Sequence, residues 1–182
     1  LGEVAIDESL ADELIKECKL LEYDIIPHMH EHSVEVQLPF LQYRFGSDFK
    51  FIPISILNEF ADETLLESCI VIGKGIAKVI KKEKEKWIVI ASSDFSHYVD
   101  HKLAKETDLT VIRPIKKLNE KLFFEKITER NASVCGFGPI AVAMIAAKEL
   151  GAKKADLLKY ATSGDVTEDF GSVVGYASII IY

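Results

Sequence analysis

The spacing of apolar residues changes period several times along the chain, and each change marks an element. Gly2-Glu3-Val4-Ala5-Ile6 alternates like a short strand. Asp7 then offers an N-cap oxygen to a run with Leu10, Leu14, Cys18 and Leu21 at helical spacing. Ser33 is placed to cap a second helix with Val34, Leu38, Leu41 and Phe45 on one side, Pro39 as a kink and Gly46 as the stop. Phe51 to Ile56 is an apolar run of buried-strand length, and Pro53, which has no N–H to give a ladder, puts it near an edge or a bulge. Asp62 opens a long helix carrying Leu65, Cys69, Ile72, Ile76 and Ile80, and the mixed charges from Lys81 to Lys86 read as its solvated end.

Trp87-Ile88-Val89-Ile90-Ala91 is the strongest strand signal and is expected to be a central strand. It stops abruptly at the polar string Ser92-Ser93-Asp94-Phe95-Ser96-His97. Helical segments follow over Lys102 to Ile112 and Asn119 to Glu129, and Cys135-Gly136-Phe137-Gly138 turns into a helix whose first turn suits Pro139. Asp156 to Ala161 and Val173 to Tyr182 alternate again, separated by the turn Thr162-Ser163-Gly164-Asp165. Strands interleaved with helices predict a three-layer α/β sandwich around a mixed, largely parallel central sheet, with residues 1–182 forming one domain. The opening residue is Leu1, not Met, and it leads straight into an alternation already in progress, which reads as a truncated chain.

Composition narrows the function classes. Lys and Arg number 22 against 29 Asp and Glu, and the net charge of −7 gives no electrostatic reason to approach nucleic acid. No apolar run approaches the roughly 18 to 20 residues of a membrane span, and no signal peptide opens the chain, so the cytoplasm is the default compartment. The three cysteines show no CxxC spacing, and their odd number argues against a complete disulfide framework. The oligomeric state, homo-oligomers included, is left open.

The chemistry concentrates in a few places. Open α/β sheets bind ligands at the carboxyl ends of their strands, which puts Asp94 and His97 in the expected position. A carboxylate there can orient the imidazole, which exchanges protons near neutral pH. The competing reading is that Ser93 and Asp94 cap the following helix and His97 lies on the surface. Cys18 and Cys69 fall on apolar helix faces and behave as small core residues. Cys135 instead lies in a glycine turn, where free N–H groups at the start of the next helix favour a metal-binding or nucleophilic thiolate; otherwise it is a small residue at a tight turn.

His28, His30 and His32 alternate, so an extended backbone projects all three to one side as a candidate metal cluster, whereas a bend into the Ser33 helix scatters them. Glu31 and Glu35 bracket that cap, and structural duty is their simplest role. Asp165 reads as a turn residue, beside a Gly164 that admits a ligand close to the backbone.

Taken together and in order, Glu31-His32-Ser33-Val34-Glu35-Val36-Gln37-Leu38-Pro39-Phe40, Ser92 to His97, Cys135-Gly136-Phe137-Gly138-Pro139 and Ser163-Gly164-Asp165-Val166 resemble the Memo family. The resemblance spans nearly the whole chain, whose start at Leu1-Gly2-Glu3-Val4 resembles the middle of a family member. It implies the fold of the class III extradiol (LigB-type) dioxygenases, which hold Fe(II) with two histidines and a carboxylate. By the same resemblance Cys135 matches a metal-binding cysteine at the third ligand position, His97 matches the histidine facing the metal pocket, and His32 matches a histidine near the same cleft. Glu31 and Asp165 join it as candidate ligand-binding residues. The family's other two metal histidines belong to upstream motifs of the Pro-His-Ala-Gly-Tyr and Pro-Asn-His kind, which do not occur here. Fe or Cu is therefore expected in an intact family protein and not in this fragment, and a thiolate ligand favours copper or zinc over an oxygen-activating iron.

Three functions compete on these grounds. The first is a metal-dependent redox protein with Cys135 as ligand and His97 as proton donor or acceptor. The second is a binding module for a small molecule or peptide, since animal relatives are linked to phosphotyrosine peptides. The third is a thiol or serine hydrolase using Cys135 or Ser93 with His97, which no nucleophile-elbow spacing supports.

Overall fold

Helix starts follow the cap residues, and the sheet follows less of the apolar pattern. The computed structural model describes residues 2–182, so Leu1 lies outside them. A two-residue strand, β1 (Ala5–Ile6), leads into helix α1 (Glu8–Glu17), where Asp7 accepts a hydrogen bond from the Leu10 N–H. A 3-10 turn at Ile26–His28 precedes α2 (Leu38–Phe45), and β2 (Lys50–Phe51) pairs in parallel with β1. The long helix α3 (Glu63–Ile80) starts at the Asp62 cap. Then come β3 (His97–Val99), α4 (His101–Lys116), α5 (Glu120–Arg130), α6 (Phe137–Glu149), β4 (Ala155–Thr162), the short α7 (Gly164–Thr167) and β5 (Val173–Ile181).

Several expectations are corrected. Ser33 does not cap a helix: its hydroxyl donates to Glu31, and α2 begins at Leu38. Pro39 sits in the first turn of that helix, where its missing N–H costs nothing, so it produces no kink. Gly46 does end α2, at φ 75°. Ser93 and Asp94 do not cap α4, because Asp100 does, accepting from the Lys102 and Leu103 N–H groups.

Residues 87–91 form no ladder. Among the described residues no backbone hydrogen bond joins them to a neighbour, although their burial alternates as in a strand. Trp87, Val89 and Ala91 pack against the core while Ile88 is 73% and Ile90 50% exposed. Residues 52–56 behave alike, with Ile52, Ile54 and Ile56 turned to the core and Leu57 left 85% exposed. An extended run with an adhesive inner face holds its shape through side-chain burial, but ladder bonds need an adjacent strand. The ladders that do form are the short β1–β2 parallel pair and an antiparallel β3–β5–β4 sheet. The architecture is α/β, with helices on the inner face of these extended segments; a continuous parallel central sheet is not formed among the described residues.

The core lies between the helices and that inner face. Helix α6 packs on α3, setting Met144 and Ile145 in one cluster with Cys69, Ile72 and Val79, and it is apolar around most of its circumference, as a fully enclosed helix must be. Cys18 and Cys69 are buried there as small hydrophobes, and burial raises the Cys69 thiol to about 11. Phe124 and Phe137 meet edge to face with centroids 5.6 Å apart, joining α5 to the start of α6.

One polar cluster interrupts this core. Asp108, on α4, is fully buried; one of its oxygens accepts from the Ser96 N–H (3.0 Å) and hydroxyl (2.6 Å), the other from the Tyr160 hydroxyl (2.7 Å). Burial pushes its carboxyl above the usual aspartate range, against the pull of those hydrogen bonds. A carboxyl with a raised native pKa binds its proton more tightly folded than unfolded. Its contribution is therefore complete below the ordinary aspartate value and declines as pH rises from there through the raised one. Urea unfolding across that window should show the parent losing stability relative to Asp108→Asn as pH rises. A parent–variant difference that stays flat would contradict the assignment.

Candidate active site

Two loops far apart in sequence are stitched together beyond the end of the Trp87 segment. The Cys135 N–H donates to the Asp94 carbonyl (3.3 Å), and the Asp94 N–H donates back to the Cys135 sulfur (3.1 Å). Beside them the Gly136 N–H donates to Ser93 Oγ (2.8 Å), whose own proton goes to the Asp94 carbonyl (2.7 Å). Only glycine allows this approach: a Cβ at position 136 would lie 2.6 Å from the Ser92 carbonyl oxygen and 2.7 Å from Ser93 Cβ. Asn58, just past the apolar run that starts at Phe51, clamps the far side, donating to the Cys135 carbonyl (2.7 Å) and accepting from the Gly138 N–H (3.1 Å).

His97 belongs to the same assembly. Its N–H donates to Ser133 Oγ (2.8 Å), and its Nδ1 lies 2.7 Å from the Ser133 carbonyl oxygen. A carbonyl can only accept, so Nδ1 carries the proton and a neutral ring presents Nε2 as its free lone pair. That Nε2 is 3.8 Å from an Asp94 carboxylate oxygen. Tyr98, the next residue, has φ 56°, and the β3–β5 register slips between His97 and Val99. A bulge of this kind re-aims a strand side chain, and a non-glycine residue holds a positive φ only where its surroundings compel it.

The donor that reaches the Cys135 sulfur is not the one anticipated. At the start of α6 the Gly136 and Gly138 N–H groups are taken by Ser93 and Asn58, and Pro139 has none to give. The sulfur, on an exposed residue, is held instead by the Asp94 N–H from the opposite loop. The sulfur also lies 3.7 Å from Ser93 Oγ and 3.8 Å from the Asp94 carbonyl oxygen.

The other sequence candidates lie elsewhere. Glu31 accepts from the Ser33 hydroxyl (2.6 Å) and the Val34 N–H (2.8 Å), and these bonds hold its carboxyl below the ordinary range. His32 pairs with Glu35 at 2.5 Å, with both side chains largely in solvent. This loop touches the assembly through Gln37, which donates to Ser92 Oγ (3.0 Å), and not through its histidine. The backbone turns at Ile26–His28, so His28, His30 and His32 do not line one side of an extended strand, and no group of three or more metal-ligating side chains converges among the described residues. Asp165 accepts from the Thr162 N–H (2.7 Å), a turn role, and its turn is anchored on Val174, the residue paired with His97.

Sequence reasoning passed over Asn58, Ser133 and Asp108. Asn58 was detectable by the rule that singled out Asp94, since it too follows an apolar extended run; Ser133 acts through its carbonyl and hydroxyl, and nothing in a serine forecasts that.

The fold and this junction define an α/β protein in which an exposed cysteine and a tautomer-fixed imidazole are held by interlocked loops. The comparisons with known proteins give it a family. Residues 1–180 match the model of the Memo-like proteins, and the chain belongs to that family. It is 46% identical to a MEMO1 family protein of Methanosarcina barkeri over 181 residues, covering all of this chain and 66% of the relative. It is 45% identical to one of Methanococcus maripaludis (99% of the chain, 63% of the relative) and 43% to one of Methanocaldococcus jannaschii (100% and 62%). The chain thus spans roughly two thirds of the length of these curated relatives. No helix among the described residues is long and apolar enough to cross a membrane.

Two measurements probe the cleft. Native alkylation with iodoacetamide, mapped by mass spectrometry, should label Cys135 and spare Cys18 and Cys69 until denaturant is added; labelling of all three at one rate would contradict the assigned burial. Nitrogen-15 spectra of the neutral histidines should show His97 as the Nδ1–H tautomer, and the Nε2–H form would remove its free lone pair from the cleft.

Proposed function

We propose that the Cys135–His97 cleft is the reactive centre of this chain, and that in the longer family polypeptide it forms part of a metal-binding, redox-type pocket. The observation that carries this reading is the interlocked pair of loops, in which the Asp94 N–H reaches the Cys135 sulfur and the Asp94 carboxylate lies 3.8 Å from His97 Nε2. In the proposed roles Cys135 supplies a soft ligand, His97 accepts or returns a proton at Nε2 and Asp94 stabilises the ring when it is charged.

The residues of this chain do not by themselves fit an iron or copper ion. A thiol and one imidazole are a partial donor set, and no third or fourth His, Cys, Asp or Glu joins them among the described residues. We therefore route no chemical step through a metal. We further propose that the part of the family polypeptide outside the matched two thirds packs on the bare face at Leu57, Ile88 and Ile90, completing a three-layer, LigB-like domain and bringing the remaining ligands. The alternative of an anionic peptide ligand has less support, because Asp94 places negative charge at the cleft.

Metal analysis of a full-length family protein beside its cysteine-to-alanine variant at the position of Cys135 tests the reading. About one equivalent of metal is expected in the parent and well under half in the variant; equal contents would remove the thiol from the site. Hydrogen exchange over the stretch equivalent to residues 87–91 should be slower in that longer protein than in this chain, and equal exchange would leave the bare face without its proposed cover.

A further inference from the structure

We propose that Asp108 is a positioning residue for this cleft: from inside the fold it fixes Ser96, and through Ser96 it holds the backbone that presents Asp94 and His97. The proposal rests on the cleft being the functional site, but its geometry stands independently.

Both of Ser96's polar donors, backbone and side chain, end on one oxygen of Asp108, and Ser96 itself is 3% exposed. The second oxygen is held by Tyr160 on β4, so the carboxyl is fixed from both sides. No ion pair with Lys or Arg reaches Asp108 among the described residues; only neutral donors satisfy it. A buried carboxyl without a countercharge is costly, and a core that needed only filling is better served by an apolar side chain. What a carboxyl adds is direction, because it accepts two bonds from one residue and a third from another at fixed angles.

The neighbouring strand is shaped to admit it. Phe95 donates to the Gly175 carbonyl (2.9 Å) and Gly175 donates to the Ser96 carbonyl (2.8 Å), so the loop is sewn to β5 on both sides of Ser96. A Cβ at Gly175 would lie 2.0 Å from the Asp108 oxygen and 3.1 Å from the Tyr160 hydroxyl. The cluster of Asp108, Ser96, Tyr160 and Gly175 therefore ties α4, β4 and β5 to the residue just before His97. The Asp94 N–H that holds the Cys135 sulfur is two residues before Ser96, and the bulge that aims His97 begins at the next residue.

Amide hydrogen exchange by nuclear magnetic resonance, well below the unfolding transition, distinguishes positioning from bulk stability. In Asp108→Leu the Asp94 and His97 amides, neither of which touches Asp108, should exchange at least about fivefold faster, the factor set by losing one hydrogen bond of about 1 kcal/mol. Amides in the middle of α3 and α6 should keep their rates, whereas a merely structural role would speed all of them together. Asp108→Asn keeps an acceptor for Ser96 and should restore near-parental exchange at 94 and 97. If Asp108→Leu does not fold, Ser96→Ala decides: selective loss of protection at 94 and 97 supports the proposal, and parental exchange there overturns it. Uniform acceleration across the core in a folded Asp108→Leu also overturns it. No metal or substrate enters these measurements, so the proposal can fail while the functional reading stands, or the reverse.

Discussion

The cleft depends on how closely the loop after residue 91 approaches the loop before α6. Three contacts, two between Asp94 and Cys135 and one from Gly136 to Ser93, form a junction that neither loop can make alone. Because Gly136 has no side chain, the backbones lie close enough for an N–H from one loop to meet the sulfur of the other. A larger residue would part the loops and strand the Asp94 N–H and the Gly136 N–H together. The position of the Cys135 sulfur is thus set by backbone geometry, which changes less than side-chain rotamers do.

The same junction explains the irregularity of β3. A regular strand would continue its ladder along β5 and aim His97 by the ordinary alternation. The slip at Tyr98, with its positive φ, breaks that alternation, and the bonds from His97 to Ser133 hold the ring in the direction the slip creates. The strain of one left-handed residue is tolerable because the two residues before it are tied down, His97 to Ser133 and the buried Ser96 to Asp108.

Much of this scaffold was legible in the chain and part of it was not. Asp7 and Asp62 announce helices because a cap acts over three residues, within the reach of a local pattern. Cys18 and Cys69 separated from Cys135 because helical spacing reveals which face a residue occupies. The ladder expected at Trp87 to Ala91 failed because alternation reports burial on one face and says nothing of what lies alongside. Ser33 failed as a cap because Glu31, two residues earlier, offered the Val34 N–H a charged acceptor, and a carboxylate outcompetes a hydroxyl there. The expectation that His97 and Cys135 belong together comes from the family resemblance, since nothing local relates residues so far apart.

The uneven burial of the extended segments bears on how the cleft keeps its shape. Trp87, Val89 and Ala91 grip the helical core, yet Ile88 and Ile90 on the other face are left in water, so this stretch is held from one side. A segment held that way would transmit poor positional control to the loop at its end. The loop is instead fixed independently, by Asp108 below, by Gly175 alongside and by Gly136 across the junction. The cleft's precision therefore comes from the polar clamps around residues 92–97 and not from the apolar run leading into them, so covering the bare face would stiffen the approach without setting the geometry at its end.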